Sequence, residues 1–235
     1  MIKFENVSKV FNKDTNPIVV FDNLNLEIET NKFISILGRS GSGKSTLLNL
    51  IGGIENVDKG NIYIGDKNIT NLNKDSLAQF RNEEIGYIFQ KFILEPSLSV
   101  LDNVAIPLVI RGVDKKEREK KAKEVLTILN LEDRINETVR NLSGGEQQRV
   151  CIARALIGDA NIILADEPTG NLDYERGQEV LRYLKNISLE GKSVILVTHN
   201  KEDAYKYSDY VYEINDGKII NRTQIGDENE NSWLF

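Results

Sequence analysis

Between Gly38 and Thr46 the chain reads GRSGSGKST, a GxxxxGKS pattern that follows an apolar run and precedes a segment of helical composition. Residue types at this spacing suit a triphosphate. Glycines allow backbone amides to turn inward and approach phosphate oxygens without side-chain interference, and the helix N-terminus behind them adds positive potential. The whole loop, Gly38, Arg39, Ser40, Gly41, Ser42, Gly43, Lys44, Ser45 and Thr46, is therefore the expected phosphate contact. Within it Lys44 would bridge the β and γ phosphates, Ser45 would offer its hydroxyl to Mg²⁺, and Thr46 would support the α phosphate. A glycine-rich turn without chemistry is disfavoured because strand and helix both stand where the pattern needs them. The loop alone does not choose among kinases, GTPases and motors, which share it.

A second candidate is the run IILADEP, which puts Asp166 and Glu167 at the end of an apolar strand, where ligands of open α/β sheets gather. Adjacent carboxylates there would divide the work. Asp166 would stabilise the magnesium, directly or through water, and Glu167 would orient and polarise an attacking water.

These groups need a scaffold, and the patterning supplies one. Two stretches with approximate period-two alternation, Ile2 to Val7 and Ile18 to Ile28, predict antiparallel strands joined by a polar turn near Asn12 to Pro17. Phe33 to Leu37 predicts the strand that feeds the phosphate loop, and Thr46 to Ile51 the helix that leaves it. Further on, the expectations are a strand over Asn61 to Ile64, a helix over Asp75 to Glu84, a buried strand over Ile85 to Phe89 and a helix over Asp114 to Asn130. Gln90 to Gly112 fits no clear pattern. A turn at Ser143 to Gly145 opens a helix through about Ile157, then come a strand over Ile162 to Ala165, a helix over Tyr174 to Leu189 and a buried strand over Ser193 to Thr198. Such alternation implies an α/β fold with a mostly parallel sheet and covering helices.

Composition narrows the function classes. The formal net charge of −6 and the dispersed Lys and Arg argue against nucleic acid as a partner. One cysteine, Cys151, excludes an internal disulfide, and one histidine, His199, excludes a His-rich metal cluster, which suits a reducing cytosol. The longest apolar runs, such as Val100 to Ile110, fall short of the roughly 20 residues that cross a bilayer. The N-terminal pattern lacks a signal-peptide core, so a cytoplasmic location is expected.

The decisive string is LSGGEQQRVCIARAL from Leu142, where the chain resembles the ABC ATPases, whose signature stands here as LSGGE. The resemblance covers nearly the whole chain, because other family motifs occur in order: Phe11 where an adenine-stacking aromatic belongs, the Q-loop at Gln90, NLD ending at Asp173, and His199 in VTHN. It implies one ABC ATPase domain over 1–235: a nucleotide-binding core from 1–90 and 160–225 with an antiparallel β part, an inserted α-helical signature subdomain over about 91–159, and a mobile acidic tail over 226–235. It implies ATP and Mg²⁺ as cofactors, with Ser45, Gln90 and Asp166 around the metal and His199 on the γ phosphate. It also implies a homodimer closed by ATP, in which Ser143, Gly144, Gly145 and Glu146 of one copy meet the triphosphate held at Lys44 of the other. Three positions depart from the commoner family pattern: Glu146 replaces glutamine, Phe11 replaces tyrosine and Arg39 replaces proline. Glu146 brings negative charge to a phosphate site, which leaves its orientation open.

The stretch IGYIFQKFILEPSLSVLDNVAIPLVIRG, with ADEPTGNLD, looks like the branch that serves MacB-type, lipoprotein-releasing and antimicrobial-peptide resistance exporters, whose permeases resemble FtsX. That implies a membrane permease partner and a place on the cytoplasmic face of the membrane. Phe92, Ile93, Leu94 and Leu98 would receive a permease helix, or would be core residues of the helical part. Two rivals differ in class. A DNA-repair or chromosome ATPase would need a coiled-coil insertion between Lys44 and Ser143, which the sequence lacks, and a regulatory module would need a dead site, whereas Lys44, Asp166, Glu167 and His199 are intact.

Overall fold

The computed structural model describes residues 1–12 and 16–226, so the tip of the predicted turn after Asn12 and most of the expected tail lie outside the described residues. In chain order the elements are β1 (Ile2–Phe11), β2 (Ile18–Ile28), β3 (Phe33–Leu37), α1 (Lys44–Ile51), β4 (Lys59–Ile64), β5 (Lys67–Asn68), α2 (Lys74–Glu84) and β6 (Ile85–Ile88). There follow α3 (Val100–Ile110), α4 (Lys115–Ile128), α5 (Gly144–Leu156), β7 (Ile162–Asp166), α6 (Tyr174–Leu189), β8 (Ser193–Thr198), α7 (Lys201–Tyr207), β9 (Tyr210–Asn215) and β10 (Lys218–Gln224). They fall into two compact units, one of Met1–Leu77 with Leu184 onward, the other of Ala78–Tyr183.

The first unit contains two sheet regions. β2, β1, β4 and β5 form an antiparallel sheet in which Phe4 faces Leu26 on one side and Ile62 on the other. The alternation of β1 is only approximate because its pairing shifts register between Phe4 and Val10, with Asn6 in the left-handed region at φ 51°. Beside this, β3 runs parallel to both β8 and β9, and β10 returns antiparallel on β9. β3 and β8 are buried along their whole length, which is why they read as unbroken apolar runs and not as alternating ones. α1 buries Leu47, Leu48, Leu50 and Ile51, each worth about 1.5–3 kcal/mol of apolar transfer, and this burial fixes the helix that the phosphate loop enters.

The second unit has the parallel pair β6 and β7, in register from Ile85 on Ile162 to Ile88 on Ala165. α5 packs on β6, and α3 packs on α4 and α5. The patternless stretch after Gln90 resolves into an irregular segment followed by α3. Ser99 caps that helix by accepting from the Asp102 amide at 3.0 Å. The fully buried Asn103 holds the segment in place: its side-chain oxygen accepts from the Glu95 amide at 2.8 Å and its amide group donates to the Glu95 and Ser99 carbonyls at 3.0 Å. An apolar pattern cannot signal a loop that is tied down through one buried amide. Among the described residues no helix is long and apolar enough to cross a membrane.

Candidate functional site

In the first unit β3 delivers the chain into the loop and α1 takes it away. Gly41 and Gly43 have φ of 79° and 102°, conformations that turn successive amides inward and that other residues rarely adopt. The loop is also tightly enclosed. A Cβ on Gly38 would lie 2.5 Å from the Ile214 carbonyl oxygen, and one on Gly43 would lie 3.1 Å from the rings and methyls of Phe21 and Val20. Gly217 donates to the Ser42 carbonyl at 3.2 Å, so the β9–β10 hairpin, which the sequence pattern did not single out, braces the cradle from behind. Lys44 is buried, and its Nζ donates to the carbonyls of Gly38 and Arg39, both at 2.9 Å, which holds the ammonium over the loop mouth. The Ser42 hydroxyl is buried with no hydrogen-bond partner, a polar atom suited to a phosphate-binding loop. Arg39, Ser40, Gly41 and Ser45 are exposed and Thr46 is half-buried.

Two more predicted residues belong to this unit. His199 is exposed immediately beyond β8, and the Gly38 amide donates to the carbonyl of its neighbour Thr198 at 3.4 Å. Phe11 ends β1 half-buried, with the Lys9 ammonium 4.7 Å from its ring centre. Lys9 in turn donates to Glu55 at 2.8 Å and to the Asn56 carbonyl at 2.9 Å, which fixes that face of the ring.

In the second unit β7 ends on Asp166, and Glu167 follows in the left-handed region at φ 43°. A glutamate there costs about 1–2 kcal/mol and persists only where its surroundings hold it. They do so. Gln90 Nε2 donates to the Glu167 carboxylate at 3.2 Å, and the Gly170 amide donates to the Glu167 carbonyl at 3.1 Å. The Gln90 backbone carbonyl is itself held by Asn171 at 2.9 Å. Thus the structure brings together Gln90 and Glu167, and Asn171 is a positioning residue that sequence reasoning missed although it lies inside NLD. The charge of Asp166 reaches Tyr87, whose hydroxyl is pushed well above its ordinary value, first by burial and then by that carboxylate. Asp173 accepts from the Arg176 amide at 3.0 Å and so caps α6, with its other oxygen 3.3 Å from the Arg176 guanidinium.

The expected turn over Ser143 to Gly145 is corrected in one respect: the helix already begins at Gly144, and Ser143 is its cap. The physical reason is a reciprocal capping box. The Ser143 hydroxyl accepts from the Glu146 amide at 3.4 Å and donates to the Glu146 carboxylate at 2.7 Å, while the Ser143 amide donates to the same carboxylate oxygen at 2.8 Å. Gly144 and Gly145 therefore occupy the first turn, where amides have no partner within the helix. A Cβ on Gly144 would meet nothing closer than Phe92 at 3.7 Å, so that face is open. Gly145 is covered by the aliphatic arm of Arg176, 2.8 Å from where its Cβ would stand. The orientation of Glu146, open at the sequence level, is thereby fixed. Its carboxyl is held below the ordinary value of 4.5, first by the Ser143 hydroxyl, then by the Ser143 amide and the neighbouring Arg134. Cys151 is buried on the same helix and its thiol is pushed up to about 11 by burial, so it is inert.

Of the apolar residues after Gln90, none of Phe92, Ile93, Leu94 and Leu98 is fully buried. Ile93 lines an open groove of ≈ 460 Å³ together with Tyr87, Phe89, Ile106, Pro107 and Ile110. Ile93 and Ile110 are 55% and 70% exposed, which marks an apolar surface with room for another chain.

Among the described residues no group of three or more His, Cys, Asp or Glu could hold a metal ion by itself. The Ser45 hydroxyl in the first unit, and the Asp166 carboxylate and Gln90 carboxamide in the second, are each oxygen donors of the kind Mg²⁺ takes beside phosphate oxygens and water.

Comparison with known proteins is consistent in direction. A family model described as ABC transporter matches residues 21–170. An ABC transporter ATP-binding protein of Methanocaldococcus jannaschii is 41% identical over 220 residues, which cover 94% of this chain and 98% of that one. The macrolide export ATP-binding/permease protein MacB of Vibrio parahaemolyticus is 40% identical over 220 residues, again 94% of this chain but 34% of that protein. The chain thus spans about a third of the length of the MacB relatives it matches. Among solved structures, the ATP-binding cassette MJ0796, in a dimeric post-hydrolysis state bound to ADP and Pi, aligns with a TM-score of 0.90 at 38% identity, covering 97% of this chain and 100% of that one.

Proposed function

The chain belongs to the ABC transporter family, and from that premise we propose that it is the ATP-hydrolysing subunit of a transporter, working as a head-to-tail homodimer on a separate FtsX-like permease. Export or membrane extraction of a peptide, lipoprotein or drug is the direction that the MacB likeness favours. The observation that carries the hydrolytic reading is the contact between Gln90 and the Glu167 carboxylate at 3.2 Å. It turns a strained glutamate into an oriented one, as a group that positions and polarises a water must be.

The remaining roles follow from the geometry of each element. Lys44 presents a desolvated ammonium to the β and γ phosphates, and the inward amides of the loop neutralise further charge. Phe11, stiffened by Lys9 on one face, offers the other to the adenine base. The amides of Gly144 and Gly145, and the Ser143 hydroxyl once it turns its hydrogen from Glu146, would donate to the γ phosphate bound by the twin subunit, and His199 would donate to the γ phosphate bound by its own chain. Ser45, Asp166 and Gln90 would hold Mg²⁺, which when bound supplies charge neutralisation to the phosphates. The apolar groove of the second unit would receive a permease helix, and Gln90, a few residues from Ile93, links the state of Glu167 to that surface. A peripheral place on the cytoplasmic membrane face follows from this partner.

The test is Glu167→Gln, which keeps the side chain's size and removes its charge. Purified wild type should turn over Mg-ATP slowly, while the variant should accumulate as an ATP-bound dimer on size-exclusion chromatography with turnover reduced by about 10²–10³. Equal turnover in the two proteins would instead make the chain a nucleotide-binding regulator.

A further inference from the structure

The signature of this chain contains a carboxylate where an anion is to be received. Glu146 sits in the first turn of α5, and a negative charge there cancels the positive end of the helix that would otherwise attract a phosphate. Glu146 Oε2 accepts from the Ser143 amide at 2.8 Å and from the Ser143 hydroxyl at 2.7 Å. Its other oxygen, Oε1, accepts from Arg134 Nε at 3.2 Å. Arg134 comes from the short turn Glu132–Arg134, outside every sequence motif, and it also reaches the Glu137 carboxylate at 3.8 Å. The guanidinium thus does two things at once. It holds one carboxylate oxygen while Ser143 holds the other, and it supplies a compensating positive charge within one side chain's reach of the phosphate-facing turn.

We propose that Arg134 is a positioning residue of the composite ATP site: by pairing with Glu146 it neutralises the carboxylate of the signature, so that the twin's triphosphate meets a positive helix end and the open face at Gly144. The proposal rests on the head-to-tail dimer described above. It assigns to Arg134 no contact with nucleotide. It also accounts for a glutamate at this position, since the pair as a whole is neutral while the capping box is kept.

The experiment uses the Glu167→Gln chain as parent and follows ATP-driven dimerisation by analytical ultracentrifugation. Arg134→Ala should raise the ATP concentration for half-dimerisation about tenfold, the scale of one uncompensated charge some ångströms from an anion in a partly solvated site. Arg134→Gln, which keeps length and a donor but no charge, should show the same loss, and Arg134→Lys should recover most of it. Binding of a fluorescent ATP analogue to dilute monomer should stay within twofold of the parent. Most diagnostic, with Glu146→Gln also present the effect of Arg134→Ala should fall below twofold. An Arg134→Ala loss that persists undiminished beside Glu146→Gln would mean a merely structural arginine and overturns the proposal, as does an Arg134→Ala chain that dimerises like its parent. A parent that stays monomeric at saturating ATP overturns the dimer itself, which separates the two failures.

Discussion

Gly86 lies in the middle of β6, with α5 packed against it, and no side chain fits between the two. A Cβ there would stand 2.3 Å from the Ala155 carbonyl oxygen and 2.7 Å from a methyl of Ile163. Real Cβ contacts stay beyond 3.0 Å, so Gly86→Ala requires strand and helix to part by about 0.7 Å. The obstacle is backbone and cannot rotate away. Overpacking of this kind costs about 3 kcal/mol, which for a domain of this size lowers the melting temperature by about 6–12 °C. The same displacement acts at both ends of the chemistry, because α5 begins at the signature and β6 leads within a few residues to Gln90, so ATP-driven dimerisation of the Glu167→Gln chain should weaken as well. A control of opposite sign is Gly177→Ala near the start of α6, where the new methyl meets Thr169 at 3.4 Å and replacing a helical glycine stabilises by about 0.5–1 kcal/mol. Scanning calorimetry of the three proteins decides the matter. A Gly86→Ala protein as stable as wild type would refute the close approach of β6 and α5.

Three other outcomes follow. Cys151, with its thiol near 11, carries roughly 0.1% thiolate at pH 8, so it should resist a disulfide reagent for hours in the native protein and react within seconds in urea; stoichiometric native labelling would contradict its burial. Arg111 donates to the Asn82 side-chain oxygen at 2.6 Å, to the Gly158 carbonyl at 2.8 Å and also to the Asn82 carbonyl, so Arg111→Leu should lose about 2–3 kcal/mol and about 4–12 °C by calorimetry, and an unchanged melting temperature would show the hub to be idle. Glu146 has a depressed carboxyl value, so the stability it adds is complete above its unfolded value near 4.5 and is lost as pH falls through the lower folded value. The stability gap between wild type and Glu146→Gln, read from urea unfolding, should therefore be constant from pH 7 to pH 5 and shrink below pH 4; a gap that widens with acid would reverse the assigned cause.

Legibility from sequence followed the physics of each element. β3, β7 and β8 were legible because complete burial leaves unbroken apolar runs, and α1 because a glycine-rich loop precedes its leucines. The candidate chemical groups could be named from sequence because phosphate and water call for particular residue types. What stayed hidden were the groups that act by position. α3 carries Pro107 within it and is introduced by a segment tied down through Asn103, so neither periodicity nor turn residues announced it. The β9–β10 hairpin behind the cradle is short and partly polar, and it acts through the backbone amide of Gly217, which no side-chain pattern announces. Asn171 reaches Gln90 across 81 residues through one hydrogen bond, and Arg134 meets Glu146 from a short turn outside the motifs, contacts that no local pattern encodes.

The second unit shows how these positioning groups are joined. Gly145 of the signature lies beneath the arm of Arg176, Arg176 pairs with Asp173, and two residues before Asp173 Asn171 holds the backbone of Gln90, whose side chain holds Glu167. Each link is a direct contact except the step from Asp173 to Asn171, which runs along the backbone through Leu172. Glu167 at φ 43° is the strained end of the chain, and strain there is useful only if the neighbours that relieve or enforce it can report on something. The other end is the helix start at Gly144 and Gly145, so the contacts run from the signature to Asp173 and from Asn171 to the glutamate proposed to orient water. The proposed chemistry rests on Lys44, Glu167 and His199, whereas Asn171 holds the Gln90 backbone and Arg176 covers Gly145 and pairs with Asp173, so the two sets are separate residues.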